Sequence, residues 1–177
     1  MSLSQQDAAA ALREIEDAQA RSVTLRDYQR AAPHFLIWGI LWAVGYGLSD
    51  AFPPQANAIW AVIVPIGLVA GLFVARRSPS RWRYGAAVLA ILAFLGASIT
   101  VMAPISGRQV AAFIPLFVAL MYVLRGIWGG TRYIVAGVII AGLTLTGFVF
   151  LGEHFLLWMA VVGGGALVLA GVWLRQA

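Results

Sequence analysis

The chain contains six apolar runs, each close to the ~20 residues that an α-helix needs to cross the hydrocarbon core of a membrane. They cover residues 33–52, 57–75, 83–103, 109–124, 132–151 and 154–174. Charged side chains are almost absent within the runs, and prolines, glycines and arginines fill the gaps. A backbone that faces lipid must satisfy its own hydrogen bonds, as an α-helix does. The pattern therefore predicts an all-α, polytopic membrane protein with six transmembrane helices.

Composition agrees with this class and excludes several kinds of site. Hydrophobic residues make up 62% of the chain and charged residues 11%, whereas soluble domains are roughly 45–50% apolar and about 25% charged. The chain has no cysteine, which excludes disulfides and thiolate metal sites. All 12 basic residues are arginines spread over short segments, so they form no continuous surface for a phosphate backbone. We expect no nucleic-acid partner.

The positions of the arginines predict an orientation. Every arginine except Arg108 lies before the first run, between the second and third runs or at the start of the third, between the fourth and fifth or at the start of the fifth, or after the sixth. Cytoplasmic segments of membrane proteins carry an excess of basic residues. The sequence therefore predicts a protein integral to the cytoplasmic membrane, with both termini in the cytoplasm.

The first 32 residues are polar and charged, and they predict a cytoplasmic helix distinct from a transmembrane domain at 33–175. Ser4 and Asp7 resemble a capping box at its start. Its apolar stripe is narrow and contains Ala8, Leu12 and Ile15. Two interpretations remain open: a solvated lead-in helix that lies on the inner face, or a docking helix for a cytoplasmic protein partner or another protomer.

Equal spacings indicate an internal repeat. Pro54, Pro104 and His154 are spaced by 50 residues. So are Pro65, Pro115 and Gly165. Such periodicity predicts a tandem array, here of three helical hairpins at about 33–75, 83–124 and 132–174.

The repeat also predicts helix breaks at one depth in the membrane. Pro65, Pro115 and the run Gly163, Gly164 and Gly165 fall near the middle of the second, fourth and sixth apolar runs. Proline removes a backbone hydrogen bond and kinks a helix. If these breaks surround a central axis, the freed carbonyls could line a path for a small solute.

The only two histidines begin the similar stretches "HFLIW" at His34 and "HFLLW" at His154. The predicted topology places them at opposite membrane faces, ~30 Å apart, so they cannot share a metal ion within one protomer. Aromatic residues with a polar tip favour the headgroup level. We interpret both stretches as interface chemistry and expect neither a metal nor a cofactor.

Four polar side chains are predicted at the outer ends of helices: Asp50, Arg108, Glu153 and His154. If helix packing brings them together, they could form an ion-paired cluster, a proton-responsive site or a cation entrance. They could instead be solvated residues that end helices. We favour the second interpretation, because surface ion pairs contribute little.

Small and aromatic residues recur within the predicted helices. Glycines at 67 and 71 form a GxxxG pattern, and glycines follow every five residues from 137 to 152. Such faces favour tight helix packing, and they could also mediate a homo-oligomer. Trp38, Trp42 and Tyr46 form one aromatic stripe, which we expect to face lipid or a neighbouring protomer.

The apolar runs hold no acidic residue at mid-membrane, which counts against a proton- or sodium-coupled transporter. They also lack the HExxH, P-loop, GxGxxG and GxSxG patterns. We therefore expect no enzymatic activity.

The stretches "LRGIWGGTRY" and "VVGGGALVLAGVW" resemble those of the HdeD-type acid-resistance proteins, which are small six-span bacterial membrane proteins. The resemblance implies a stress-related protein of the bacterial inner membrane. The leading hypothesis is a non-enzymatic scaffold, regulator or stress-protection component, with membrane lipids as partners. The alternatives are a pore or facilitator for a small neutral or weakly polar solute, and a lipid- or quinone-binding subunit of a membrane enzyme.

Overall fold

The computed structural model describes residues 5–75 and 81–176, and every regular element within these ranges is helical. The all-α prediction is thereby confirmed. The α-helices are α1 (Gln5–Ala51), α2 (Ala56–Ala75), α3 (Arg81–Val101), α4 (Gly107–Gly129), α5 (Thr131–Phe150), α6 (Phe155–Trp158) and α7 (Gly164–Arg175). Two 3-10 turns, Pro53–Gln55 and Gly152–His154, precede α2 and α6. A π-helical turn, Met159–Gly163, joins α6 to α7.

Five described segments are long and apolar enough to cross a membrane: Ala9–Ala51, Pro53–Val74, Gly107–Gly129, Thr131–Phe150 and Gly152–Arg175. The last of these, called the last span below, contains α6, the π-helical turn and α7. Gly85–Val101 in α3 is apolar but shorter. The helices are therefore those of a membrane-embedded protein, while the predicted count of six spans is not confirmed.

The first helix passes through the predicted boundary at 32/33 without a break. α1 contains 47 residues and includes Pro33, so at 1.5 Å per residue it is ~70 Å long. That is more than twice the ~30 Å thickness of a hydrocarbon core. The N-terminal segment and the first apolar run thus form one helix. The predicted cap at Ser4 lies outside the described residues.

The most extensive helix packing joins α1 to α7, through small residues on both sides. A Cβ atom on Gly39 would lie 2.8 Å from the backbone nitrogen of Val168, and one on Gly164 would lie 2.9 Å from the backbone nitrogen of Ala43. Farther along, Gly171 packs against Leu36. Such close backbone approach is what small residues provide between membrane helices.

α4 and α5 form the second tightly packed pair. A Cβ atom on Gly137 would lie 2.6 Å from the carbonyl oxygen of Ala119. Gly147 instead faces Trp158 of α6, and Gly142 has open space around it. The five-residue glycine spacing does not form one face, because at 100° per residue it turns each glycine about 140° from the last.

The aromatic stripe of α1 faces the interior of the bundle, so the prediction that it faces lipid or a protomer is wrong. Trp42 and Tyr46 are buried in the core. Tyr46 packs edge-on against Trp60 of α2, with ring centroids 4.9 Å apart. Gly67 of α2 leaves the space that Trp38 occupies. The physical reason is that α2 and α4 cover this side of α1 with small residues and rings.

α3 lies at the periphery. None of its side chains from residue 85 to 101 is buried. It contacts α2 and stacks Phe94 on Phe117 of α4, with centroids 5.3 Å apart. The extensive pairings, α1 with α7 and α4 with α5, join helices of different predicted hairpins. The three-hairpin repeat is therefore not confirmed.

Candidate functional site

The structure shows how the chain compensates for the proline in α4. Pro115 has no N–H to donate to the carbonyl of Ala111, four residues earlier. The hydroxyl of Tyr46 donates a hydrogen bond to that carbonyl at 2.8 Å. Both Pro115 and Tyr46 are buried. A side chain of α1, rather than water in a cavity, therefore satisfies the freed carbonyl.

The predicted helix breaks do not share a common environment. Pro65 lies within α2 on an exposed face, whereas Pro115 is buried. Gly163 and Gly164 are buried, and Gly165 is half-buried with open space beside it. The π-helical turn ends at Gly163, so the last span does change its helix geometry at the glycine run. The three breaks therefore differ in burial, and their common depth around an axis stays a prediction.

The four polar residues predicted at the outer ends form no ion pair among the described side chains. Arg108 donates a hydrogen bond to the carbonyl of Phe148 and lies over the ring of the same residue, 4.7 Å from its centroid. Asp50 is half-buried in the last turn of α1, and Glu153 and His154 are exposed in the 3-10 turn before α6. Neither Asp50 nor Glu153 pairs with Arg108, whose hydrogen bond goes to a neutral backbone carbonyl instead.

The two histidines lie far apart along the bundle. Leu36, two residues after His34, packs against Gly171, and Gly171 follows His154 by 17 residues. At 1.5 Å per residue this separates them by roughly 25 Å. His34 lies near the end of the bundle at which the first residues of α1 emerge, and His154 lies at the other end.

A cluster that the sequence analysis did not predict lies at the end of the bundle near His34, which we call the N side. Its centre is Asp27 of α1, whose Oδ2 is 2.6 Å from Nη2 of Arg125 at the end of α4. The hydroxyl of Tyr133 of α5 donates to the backbone carbonyl of Asp27 at 3.2 Å and lies 3.3 Å from Oδ2. These contacts connect α1 to both α4 and α5.

The turn between α4 and α5 closes around the next residue of α1. Tyr28 is buried, and its hydroxyl accepts a hydrogen bond from the backbone N–H of Arg132 at 3.3 Å. Gly130 in this turn has φ +116° and ψ 152°, and a Cβ atom there would overlap the Tyr28 hydroxyl. Only glycine fits this backbone conformation readily. The rings of Tyr28 and Tyr133 pack together, with centroids 5.2 Å apart.

Arg132 extends the cluster to the last span. Its Nη1 donates to the carbonyl of Trp173 at 2.5 Å, and its guanidinium lies over the rings of Trp173 and Tyr28, 4.9 Å and 5.4 Å from their centroids. We define the N-side cluster as Asp27, Tyr28, Arg125, Gly130, Arg132, Tyr133 and Trp173. It holds α1, the α4–α5 turn and the end of α7 together.

Part of this cluster carried a signal in the sequence. Asp27 is the carboxylate closest to the first apolar run on its N-terminal side, and Tyr28 follows it directly. An acidic residue beside an aromatic residue at a predicted membrane boundary suggests a partner of opposite charge. No spacing rule connects residue 27 to residue 125 or 133, so the partners themselves could not be predicted.

Compared with protein-family models, with curated proteins and with solved structures, the chain matches none of them.

Proposed function

We propose that this protein is a non-enzymatic scaffold of the bacterial cytoplasmic membrane that presents its N-terminal helix to a cytoplasmic protein partner. One observation carries the proposal. α1 continues as a single helix from the apolar bundle into an exposed segment, and the N-side cluster fixes it at Asp27 and Tyr28, where the two parts meet. A merely solvated lead-in segment would need no such attachment.

The exposed segment has a face suited to a partner. Residues 9–21 of α1 are all exposed. Leu12 and Ile15 are 58% and 54% exposed and lie on one side of the helix. Asp17 lies on the other side at 100° per residue. An amphipathic helix whose apolar side chains are uncovered can bind in the groove of another protein.

The packing of the bundle gives the alternative functions less support. The carbonyl freed by Pro115 is capped by Tyr46, and Pro65 lies on an exposed face. Neither arrangement favours a solute path along a central axis. No observation favours an enzyme subunit. The stress-protection role implied by the HdeD-type resemblance remains a prediction within the scaffold class.

Site-specific photocrosslinking in cells tests the proposal. A photoreactive amino acid at Leu12 or Ile15 is expected to give an adduct with the same protein, identified by mass spectrometry. The matched control is Asp17, on the opposite side of the same helix, where the adduct should be absent. Equal adducts at all three positions, or adducts with lipid alone, would contradict the docking role.

A second variant links docking to the N-side cluster. Arg125→Gln removes the ion pair with Asp27, so the exposed helix should become more mobile and the adduct at Leu12 should decrease. Arg108→Gln removes an arginine that bonds a backbone carbonyl at the other end of the bundle, and it should leave the adduct unchanged. A decrease with both variants would indicate a general loss of folding.

The orientation is tested separately, and the natural chain has no cysteine to interfere. Single cysteines at Gly107 and Gly152 should react with an impermeant thiol reagent added outside the cell. A cysteine at Ser80 should be protected. Labelling at Ser80 from the outside would overturn the predicted cytoplasmic location of both termini.

A further inference from the structure

A groove runs along the surface of the bundle between α5 and the last span. Its volume is about 510 Å³, within the ~300–1,000 Å³ of small-molecule sites. One wall belongs to α5 and the other to the last span, and the side chains that line them include Val135, Ile139, Leu143, Gly165, Leu169 and Trp173. The groove is therefore apolar along its length, as a site for a hydrocarbon chain must be.

The groove has the length of one membrane leaflet. Val135 and Leu143 mark its extent along α5 and are eight residues apart, or ~12 Å at 1.5 Å per residue. Half of a ~30 Å hydrocarbon core is ~15 Å. A straight acyl chain that starts at the N side would fill such a groove to about mid-membrane.

A cation lies at one end of the groove. Trp173 closes the N-side end, and the guanidinium of Arg132 lies on its ring and bonds its carbonyl. Among the residues that the structure describes, the ion pair at this end uses Arg125 and Asp27, so Arg132 keeps its positive charge with neutral contacts. The half-buried guanidinium has further N–H groups beyond the one donated to Trp173.

The helices α2, α3, α4 and α5 offer no acidic group for this position. Between Asp50 and Glu153 the sequence contains no aspartate or glutamate. A second copy that packed α2, α3, α4 or α5 into the groove would therefore bring no carboxylate to Arg132. A phospholipid supplies both an acyl chain for the apolar groove and a phosphate for Arg132, and arginine binds phosphate with paired hydrogen bonds.

We propose that the groove between α5 and the last span binds an anionic phospholipid of the N-side leaflet, with the acyl chain against Gly165 and Leu169 and the phosphate at Arg132. The site lies on the bundle itself and does not depend on the docking role of the N-terminal helix. The bound phospholipid fills the gap between α5 and α7 on the lipid-facing side of the bundle and so holds the two helices together.

Native mass spectrometry of the full chain tests the site. The protein is titrated with phosphatidylglycerol or with phosphatidylcholine of the same acyl chains. The wild type should retain phosphatidylglycerol more strongly. Arg132→Gln should weaken this binding about tenfold, as expected for loss of a charged hydrogen bond, and Arg132→Lys should restore much of it. Arg108→Gln is the matched control and should bind as the wild type does.

A second pair of variants tests the groove without touching a charge. Gly165→Leu places a side chain in the groove, and no neighbour lies within 4 Å of its Cβ position. It should lower the binding of phosphatidylglycerol. Gly142→Leu is the control, because Gly142 of α5 also has open space and lies on an exposed part of the helix.

Three outcomes would overturn the proposal. The first is equal retention of the two lipids by the wild type. The second is an equal loss of binding with Arg108→Gln and Arg132→Gln, which would mean that arginines at either end of the bundle bind anionic lipid without a specific site. The third is a change of oligomeric state in Gly165→Leu with unchanged lipid binding, which assigns the groove to a second copy.

Discussion

The two ends of the bundle use an arginine in the same local way, yet only one of them connects several helices. At the end opposite the N side, Arg108 bonds the carbonyl of Phe148 and covers its ring. At the N side, Arg132 does the same with Trp173 and also covers Tyr28. The first contact joins α4 to α5, whereas the second joins α5 to α7 and α1. The role of each arginine therefore depends on which segments end beside it.

The ends also differ in what stabilises them. The N side relies on hydrogen bonds and an ion pair around Asp27, which are partly accessible to solvent. The opposite end relies on a buried hydroxyl, that of Tyr46, and on ring packing against Trp60. We expect substitutions at the N side to change the position of the N-terminal helix, and those at the opposite end to change the stability of the bundle.

The largest expected effect is a difference in stability between alanine variants of two glycines with positive φ. Gly130 at the N side has φ +116° and faces Tyr28, whereas Gly152 at the opposite end has φ +48° and open space. Gly130→Ala should lower the free energy of unfolding by about 3 kcal/mol through backbone strain and displacement of Tyr28. Gly152→Ala should cost only about 1 kcal/mol. Unfolding in detergent measures both, and equal losses would contradict the close contact with Tyr28.

The next effect concerns the buried hydroxyl at the opposite end. Tyr46→Phe leaves the carbonyl of Ala111 without its donor, which should cost about 2 kcal/mol, as for a buried unsatisfied group. Pro115→Ala restores a backbone N–H four residues after Ala111 and should recover most of the loss. The double variant is compared with each single variant by thermal unfolding. No recovery would mean that Tyr46 acts through ring packing alone.

A smaller effect is expected for the ion pair of the N side. The side chains of Arg125 and Asp27 are 54% and 32% exposed, so their coupling should be about 0.5 kcal/mol and should decrease with salt. A double-mutant cycle with Arg125→Gln and Asp27→Asn measures it. A spin label at Ala18 should nevertheless report greater mobility of the N-terminal helix in either variant. An immobile label would show that Tyr28 and Tyr133 suffice to hold α1.

The smallest effect is expected for the carboxylates of the opposite end. Asp50→Asn and Glu153→Gln should each change stability by less than about 0.5 kcal/mol, because neither side chain pairs with Arg108 in the described structure. The melting temperature at low and high salt checks this. A salt-dependent loss of stability above that size would support the interpretation that these residues form an ion-paired cluster with Arg108.

The helical class and the apolar segments could be predicted because they depend on local composition. A run of ~20 apolar residues fits a membrane helix whatever its neighbours are. The capping box formed by Ser106 and Gln109 at the start of α4 depends on equally local spacing, although the sequence analysis did not predict it. The equal spacing of prolines was misleading as a guide to packing, because Pro65 and Pro115 face different environments.

Long apolar helices with a polar N-terminal extension can be predicted from local sequence alone, because hydropathy and helix propensity act over neighbouring residues. Helix packing, in contrast, is what brings Tyr46 to the carbonyl of Ala111, turns the stripe of α1 inward and pairs Asp27 with Arg125. The first of these hydrogen bonds joins residues 65 positions apart and the ion pair joins residues 98 positions apart. Which helix faces meet depends on how the small residues of all the helices fit together, and no local pattern contains that information.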